Sequence, residues 1–224
     1  MHMTKANETT DTEHPLVSIQ ERIAKRLANV DKSTQAPASQ RISTKSSKFT
    51  LPDGKQSDGP LNCVIVDYIN TNSYYADAYN ENDIKPPACH SVGRDLKSMT
   101  PDANVAKPVS EQCDGCPNNE FGSSGRGKAC TNNVILALLP EGYTDKSELF
   151  TVKVSPKGLG PWSTYVRTLS EQGVDPVQVV TSISFKTGVS YPSLLFTQAG
   201  GNEALETAGR FLPQAETMLL NSTS

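Results

Sequence analysis

"CDGCPNNEFGSSGRGKAC", residues 113–130, carries two readings that lead to different folds. Gly122 to Lys128 spells G-x-x-x-x-G-K, the opening of a phosphate-cradling loop, and would make the chain an ATPase. Cys113, Cys116 and Cys130 bracket the same residues with the spacing of metal ligands. A phosphate cradle needs a buried strand before it, a Ser or Thr after the lysine and a helix that follows. Here "CDGCPNNEF" is too polar for a buried strand, Ala129 stands in the hydroxyl position, and "CTNNVILALL" reads as a turn and a strand. None of the three conditions is met.

The metal conditions fare better. Cys113-x-x-Cys116 is a knuckle that presents two thiolates on one tight turn, with Gly115 relaxing the backbone between them. Thirteen residues separate Cys116 from Cys130, and twenty-three separate Cys89 from Cys113. Cys89, Cys113, Cys116 and Cys130 together would give a closed tetrahedral zinc site of the structural kind, with His90 competing with Cys89 for the fourth place. Metal binding would also supply the folding energy of a segment this poor in apolar residues. Four cysteine ligands leave no open position for water, which argues against metal catalysis. The intervening "GSSGRGK" then becomes a flexible loop offering Arg126 and Lys128 to phosphates.

The chain has 224 residues, enough for one domain with an elaborated loop. Hydrophobic residues make up only 36%, and residues 1–60 and 80–130 hold almost no apolar runs. A net charge of −3 sets up no general field toward polyanions or anionic membrane, so any phosphate site must be local. No run reaches the roughly 18 apolar residues of a membrane span, and "MHMTKANETTDTEHP" lacks the apolar core of a signal peptide. A cytoplasmic protein is expected, where clustered cysteines bind metal rather than form disulfides.

Residues 1–40 read as a flexible arm. Within it, Leu16, Ile19, Ile23, Leu27 and Val30 recur at helical spacing, predicting an amphipathic helix that packs on its own domain or docks on another subunit or partner. From residue 41 short strands take over. Asp53-Gly54 marks a hairpin, "LNCVIVDYIN" is a strand in which Cys63 fills core space, and "TNSYYADAYNENDIKPPACH" is turn-rich. "VILALL" and "ELFTVKV" are strands, and "GPWSTYVRTLSEQG" is a helix started by Pro161 and stopped by Gly173. "VQVVTSISF" and "YPSLLFTQ" form a hairpin, and a last helix carries Pro213 as a kink or break. A helix between the third and fourth main strands is the arrangement of the oligonucleotide-binding (OB) barrel. The expected fold is mixed α/β, mainly β: an OB-like small barrel over 41–224, with flanking helices and a zinc-stabilised Cys-rich insertion at about 80–132.

Catalysis finds no constellation. Two of the three histidines, His2 and His14, lie in the arm, and no D-x-D or H-E-x-x-H pattern occurs. Binding chemistry is better represented. Tyr68, Tyr74, Tyr75 and Tyr79 crowd into twelve residues, and single strands are held by aromatic faces beside a basic track. Lys45, Lys48, Arg94, Lys97, Arg126, Lys128, Lys153 and Lys157 could supply that track if the fold gathers them. Some of the tyrosines suit core closure equally well, and Trp162, Tyr165, Val166 and Leu169 follow the core face of a helix.

"KFTLPDG", "VIVDYINTNSYYADAYN", "PPACH", "CDGCPNNEFGSSGRGKAC" and "VVTSISF…SYPSLLF" together resemble a family of bacteriophage single-stranded DNA-binding proteins over about residues 41–198. The resemblance implies a non-enzymatic protein of the infected host's cytoplasm, acting in replication, recombination or transcription. It implies Cys89, Cys113, Cys116 and Cys130 as the metal ligands, although His90 stands where relatives tend to carry an aromatic. The expected partner is single-stranded DNA, bound with little sequence preference, with homo-oligomer contacts through the N-terminal helix. The competing expectation is a protein–protein adaptor, such as a cofactor of a phage RNA polymerase, in which zinc only shapes a docking surface.

Overall fold

"LNCVIVDYINTNSY" becomes the longest strand of the fold, and everything else is arranged on it. The computed structural model describes residues 40–78, 80, 82–83 and 85–222. The expected N-terminal helix and Tyr79 lie outside these residues. In chain order the strands are β1 (Arg41–Ile42), β2 (Phe49–Thr50), β3 (Gln56–Ser57), β4 (Leu61–Tyr74), β5 (Cys89–Gly93), β6 (Cys130–Pro140), β7 (Phe150–Val154), β8 (Val179–Phe185) and β9 (Leu194–Gly201). Helix α1 (Leu159–Glu171) lies between β7 and β8, and α2 (Leu205–Gly209) and α3 (Leu212–Leu220) follow β9.

The main sheet runs β1-β7-β6-β4-β8-β9, and β2 and β3 form a separate hairpin around Asp53-Gly54. One edge of β4 pairs β6 from Cys63↔Pro140 to Tyr74↔Cys130. Its other edge is shared: Leu61–Cys63 pair β8, and Asn70–Tyr74 pair β5. The lower half of β4 therefore belongs to the curled body of the sheet and the upper half to a three-stranded arm.

Two cores sit on the two faces. The concave face gathers Cys63, Ile65, Leu136, Leu138, Val152, Ile183 and Phe196 under Trp162, Tyr165 and Leu169 of α1. The convex face of β4 and β6 presents Val64, Val66, Ile69, Ile135 and Leu139 to Phe211, Ala215 and Leu219 at and within α3. Strands buried on both faces lose period-two alternation and read as continuous apolar runs, as "VILALL" does. The chain breaks between α2 and α3, with Pro213 in the first turn of α3, where its missing N–H has no partner to lose.

A β-bulge in β4 decides what the arm displays. Register slips between Ile65 and Asp67, so odd positions face the concave core before the bulge and even positions after it. Tyr68, Asn70, Asn72 and Tyr74 thereby share one face with Leu136, Val134, Asn132 and Cys130.

One expectation needs correction here. "TNSY", placed in a turn-rich stretch, continues β4, because pairing on both edges satisfies its backbone despite weak strand propensity. Within the Cys-rich insertion β5 joins β4, and β6 begins at Cys130. Among the described residues no helix is long and apolar enough to cross a membrane.

Candidate metal centre and nucleic-acid interface

Strand register brings the first two cysteines together. Cys89, Tyr74 and Cys130 form one row across β5, β4 and β6, so their side chains leave the same face. His90 is one residue on and belongs to the opposite face. Its Nε2 lies 3.8 Å from Asp102 Oδ1, and its Nδ1 is buried without a hydrogen-bond partner among the described residues.

The knuckle is laid over this row from the following loop. Met99 packs on Gly93 so closely that a Cβ there would sit 2.6 Å from Met99 Cγ, which only glycine permits. The Met99 carbonyl accepts from the Cys113 backbone N–H, and the Cys113 thiol donates to Ser91 Oγ at 3.1 Å. Gly115 turns the chain with φ of +73°, and Asn119 Nδ2 donates to the Cys113 carbonyl at 2.8 Å.

All four thiols line one cavity of about 20 Å³, room for a single water or a single ion. Burial and then the thiols of Cys113 and Cys116 push Cys130 up to about 11, and burial is also the chief cause raising Cys89. These like-charge couplings express the proximity of the four sulfurs. They do not form a closed ligand cluster as they stand: among the described residues no three His, Cys, Asp or Glu side chains are grouped to hold a metal ion. Cys113 is turned to Ser91 instead. Four thiols are a donor set of the kind that structural zinc takes. Cys63, the fifth cysteine, is fully buried in the concave core, where burial raises its thiol to about 12.

"GSSGRGK", expected to be a flexible loop, is tied together internally. Gly122 N–H donates to the Gly127 carbonyl, and the Ser123 hydroxyl donates to the Asn118 and Glu120 carbonyls and accepts from the Ala129 N–H. Left-handed Gly122 and Gly125 make the turns possible. Phe121 and Lys128 flank the bonded pair 122 and 127, and Arg126 projects from the same loop. The Phe121 ring is 79% exposed. Sequence spacing passed over this residue because a single Phe in a polar loop carries no periodicity.

The other expected binding residues are scattered. Tyr68 is half-buried and packs edge-on against Trp162 at 5.1 Å, Tyr74 lines the cysteine cavity, and Tyr75 is exposed. Arg94 is held by both Asp67 oxygens at 2.7 Å and approaches Glu216 at 3.7 Å, so its half-exposed guanidinium ties the end of β5 to the β4 bulge and to α3. Replacing Arg94 by Ala leaves the mostly buried Asp67 carboxylate unpaired. Loss of about 1.5–3 kcal/mol of stability is expected, read from the urea midpoint. Lys45, Lys48 and Lys97 are exposed, and Lys157 Nζ sits 5.5 Å over the Tyr191 ring. Lys153 is half-buried on the convex face of β7 beside Arg41, where burial and then Arg41 lower its pKa.

A groove of about 740 Å³ lies beside the knuckle, between the concave face of the arm and α1. Asn70, Asn72 and Asn132 line its sheet side, Asn119 and Lys128 its knuckle side, and Ser163 and Arg167 its helix side. No family model, curated protein or solved structure matches the chain.

Proposed function

We propose that the chain is a zinc-stabilised OB-type protein that binds single-stranded DNA without catalysis, as its resemblance to phage proteins of that kind also implies. Phe121, exposed on an internally hydrogen-bonded loop that also carries Arg126 and Lys128, is the observation that carries this reading. An apolar ring held out in water gains nothing for the fold, whereas a base stacked on it gains about 1–3 kcal/mol. Arg126 and Lys128 stand where the backbone of such a strand would run.

Strand order supports the OB assignment. The first long strand, β4, pairs both the second (β6) and the fourth (β8), β8 pairs β9, and α1 falls between the third and fourth. The barrel is left open between β7 and β9, and β1 lies parallel to β7 instead. In OB barrels the loop joining the first two strands is part of the ligand surface. Here that loop is the cysteine insertion. Helices α2 and α3 cover the convex face of β4 and β6, which leaves the insertion as the open part of the surface.

Zinc would be held by Cys89, Cys113, Cys116 and Cys130, since strand alternation favours Cys89 over His90. Its chemistry would be structural, fixing the knuckle and through Asn119 the loop that carries Phe121.

The test is fluorescence anisotropy of a labelled single strand at two salt concentrations, with unlabelled duplex as competitor. Binding is expected to weaken with salt by a slope near −0.7 per phosphate contacted, and duplex to compete poorly. Absence of binding at low salt would sink the reading. It would leave an adaptor, favoured by the exposed Leu205, Leu212 and Leu220 of the C-terminal helices, for which a protein partner should be sought.

A further inference from the structure

The groove between the arm and α1 contains an unusual set of amides. Asn132 donates both amide hydrogens, to Asn72 Oδ1 at 2.6 Å and to Asn119 Oδ1 at 2.9 Å. Lys128 Nζ also donates to Asn119 Oδ1, at 3.3 Å. Within this three-asparagine network the Asn72 NH₂ and the Asn132 Oδ1 are left without a partner among the described residues. Both residues line the groove, so this donor and this acceptor are available to a molecule that enters it.

We propose that this donor and acceptor take the Watson–Crick edge of one unpaired nucleobase, with the adjoining phosphate on Lys128; the proposal rests on the single-strand reading above. Each of the four bases carries at least one donor and one acceptor on that edge, which an amide pair can meet. The pocket would therefore accept any base. It would reject a duplex, because pairing has already used the edge. Selectivity for single strands without sequence preference follows from amide chemistry, while stacking on Phe121 alone would not distinguish a frayed duplex end. The groove is large enough for a nucleotide, within the range of small-molecule sites.

Blocking the base edge tests this directly. Anisotropy would compare labelled oligothymidylate of about ten nucleotides with the same strand built from N3-methylthymidine, which keeps phosphates and ring faces but loses the edge donor. The intact protein should bind the methylated strand about tenfold or more weakly, as expected for losing a good base-edge pair. Asn132→Ala should bind the two strands equally. Equal binding of both by the intact protein, still salt-sensitive, would overturn the pocket and leave the single-strand reading standing. Failure to bind either strand would overturn both.

Discussion

Cys113→Ser is expected to unfold residues 75–129 while leaving the curled sheet in place. Among the described residues of that stretch the buried apolar side chains are Met99, Cys113 and Cys116. Each contributes at most about 1.5–3 kcal/mol through burial, whereas ordering backbone costs about 1–2 kcal/mol per residue. Pairing of β5 with β4 fixes only five residues of the insertion. A structural zinc contributes an apparent 10–16 kcal/mol or so, enough to close that gap. Hydrogen exchange read by mass spectrometry should show peptides from 75–129 losing protection in the variant and after chelation. Peptides from β6 and β7 should keep theirs. Zinc content should fall from one per chain to none, whereas Cys63→Ser, far inside the concave core, should keep the metal. Unchanged exchange after chelation would remove zinc from the account.

Phe121→Ala should weaken single-strand binding by about 5- to 150-fold, the equivalent of one lost base stack. Fold stability should barely move, because the ring contributes almost no burial. Arg126→Ala with Lys128→Ala should instead flatten the salt dependence, by about 1.4 in slope for two phosphate contacts on a single strand. The two substitutions thus separate by kind of effect. Loss of affinity at Phe121 should persist at high salt, and loss at the cations should vanish there. A Phe121 variant with full affinity would place the strand elsewhere on the surface.

Much of the sheet was legible because apolar runs of strand length mark β4, β6 and β8, and Trp162, Tyr165 and Leu169 mark α1. Spacing singled out the four cysteines, and all four line one cavity without being grouped, among the described residues, to hold a metal ion. What escaped was set by pairing rather than by pattern. The bulge beside Val66 leaves no composition signal, yet it turns Asn70, Asn72 and Tyr74 inward. Strand β5 is a polar "CHSVG", held by its register with β4 and by Met99 over Gly93, neither of which leaves a periodic signal. The ion pair of Arg94, one of the expected phosphate contacts, with Asp67, 27 residues away, leaves no local signal. The asparagine groove draws on three separate segments, so no local stretch announces it.

The most direct measurement follows strand affinity and zinc content in one sample as metal is removed and restored. Salt-sensitive binding that falls at least tenfold on chelation and returns with added zinc is the predicted result. Binding that is indifferent to the metal, or absent at low salt with zinc in place, would contradict the claim that the cysteine insertion is a zinc-held surface for single-stranded DNA.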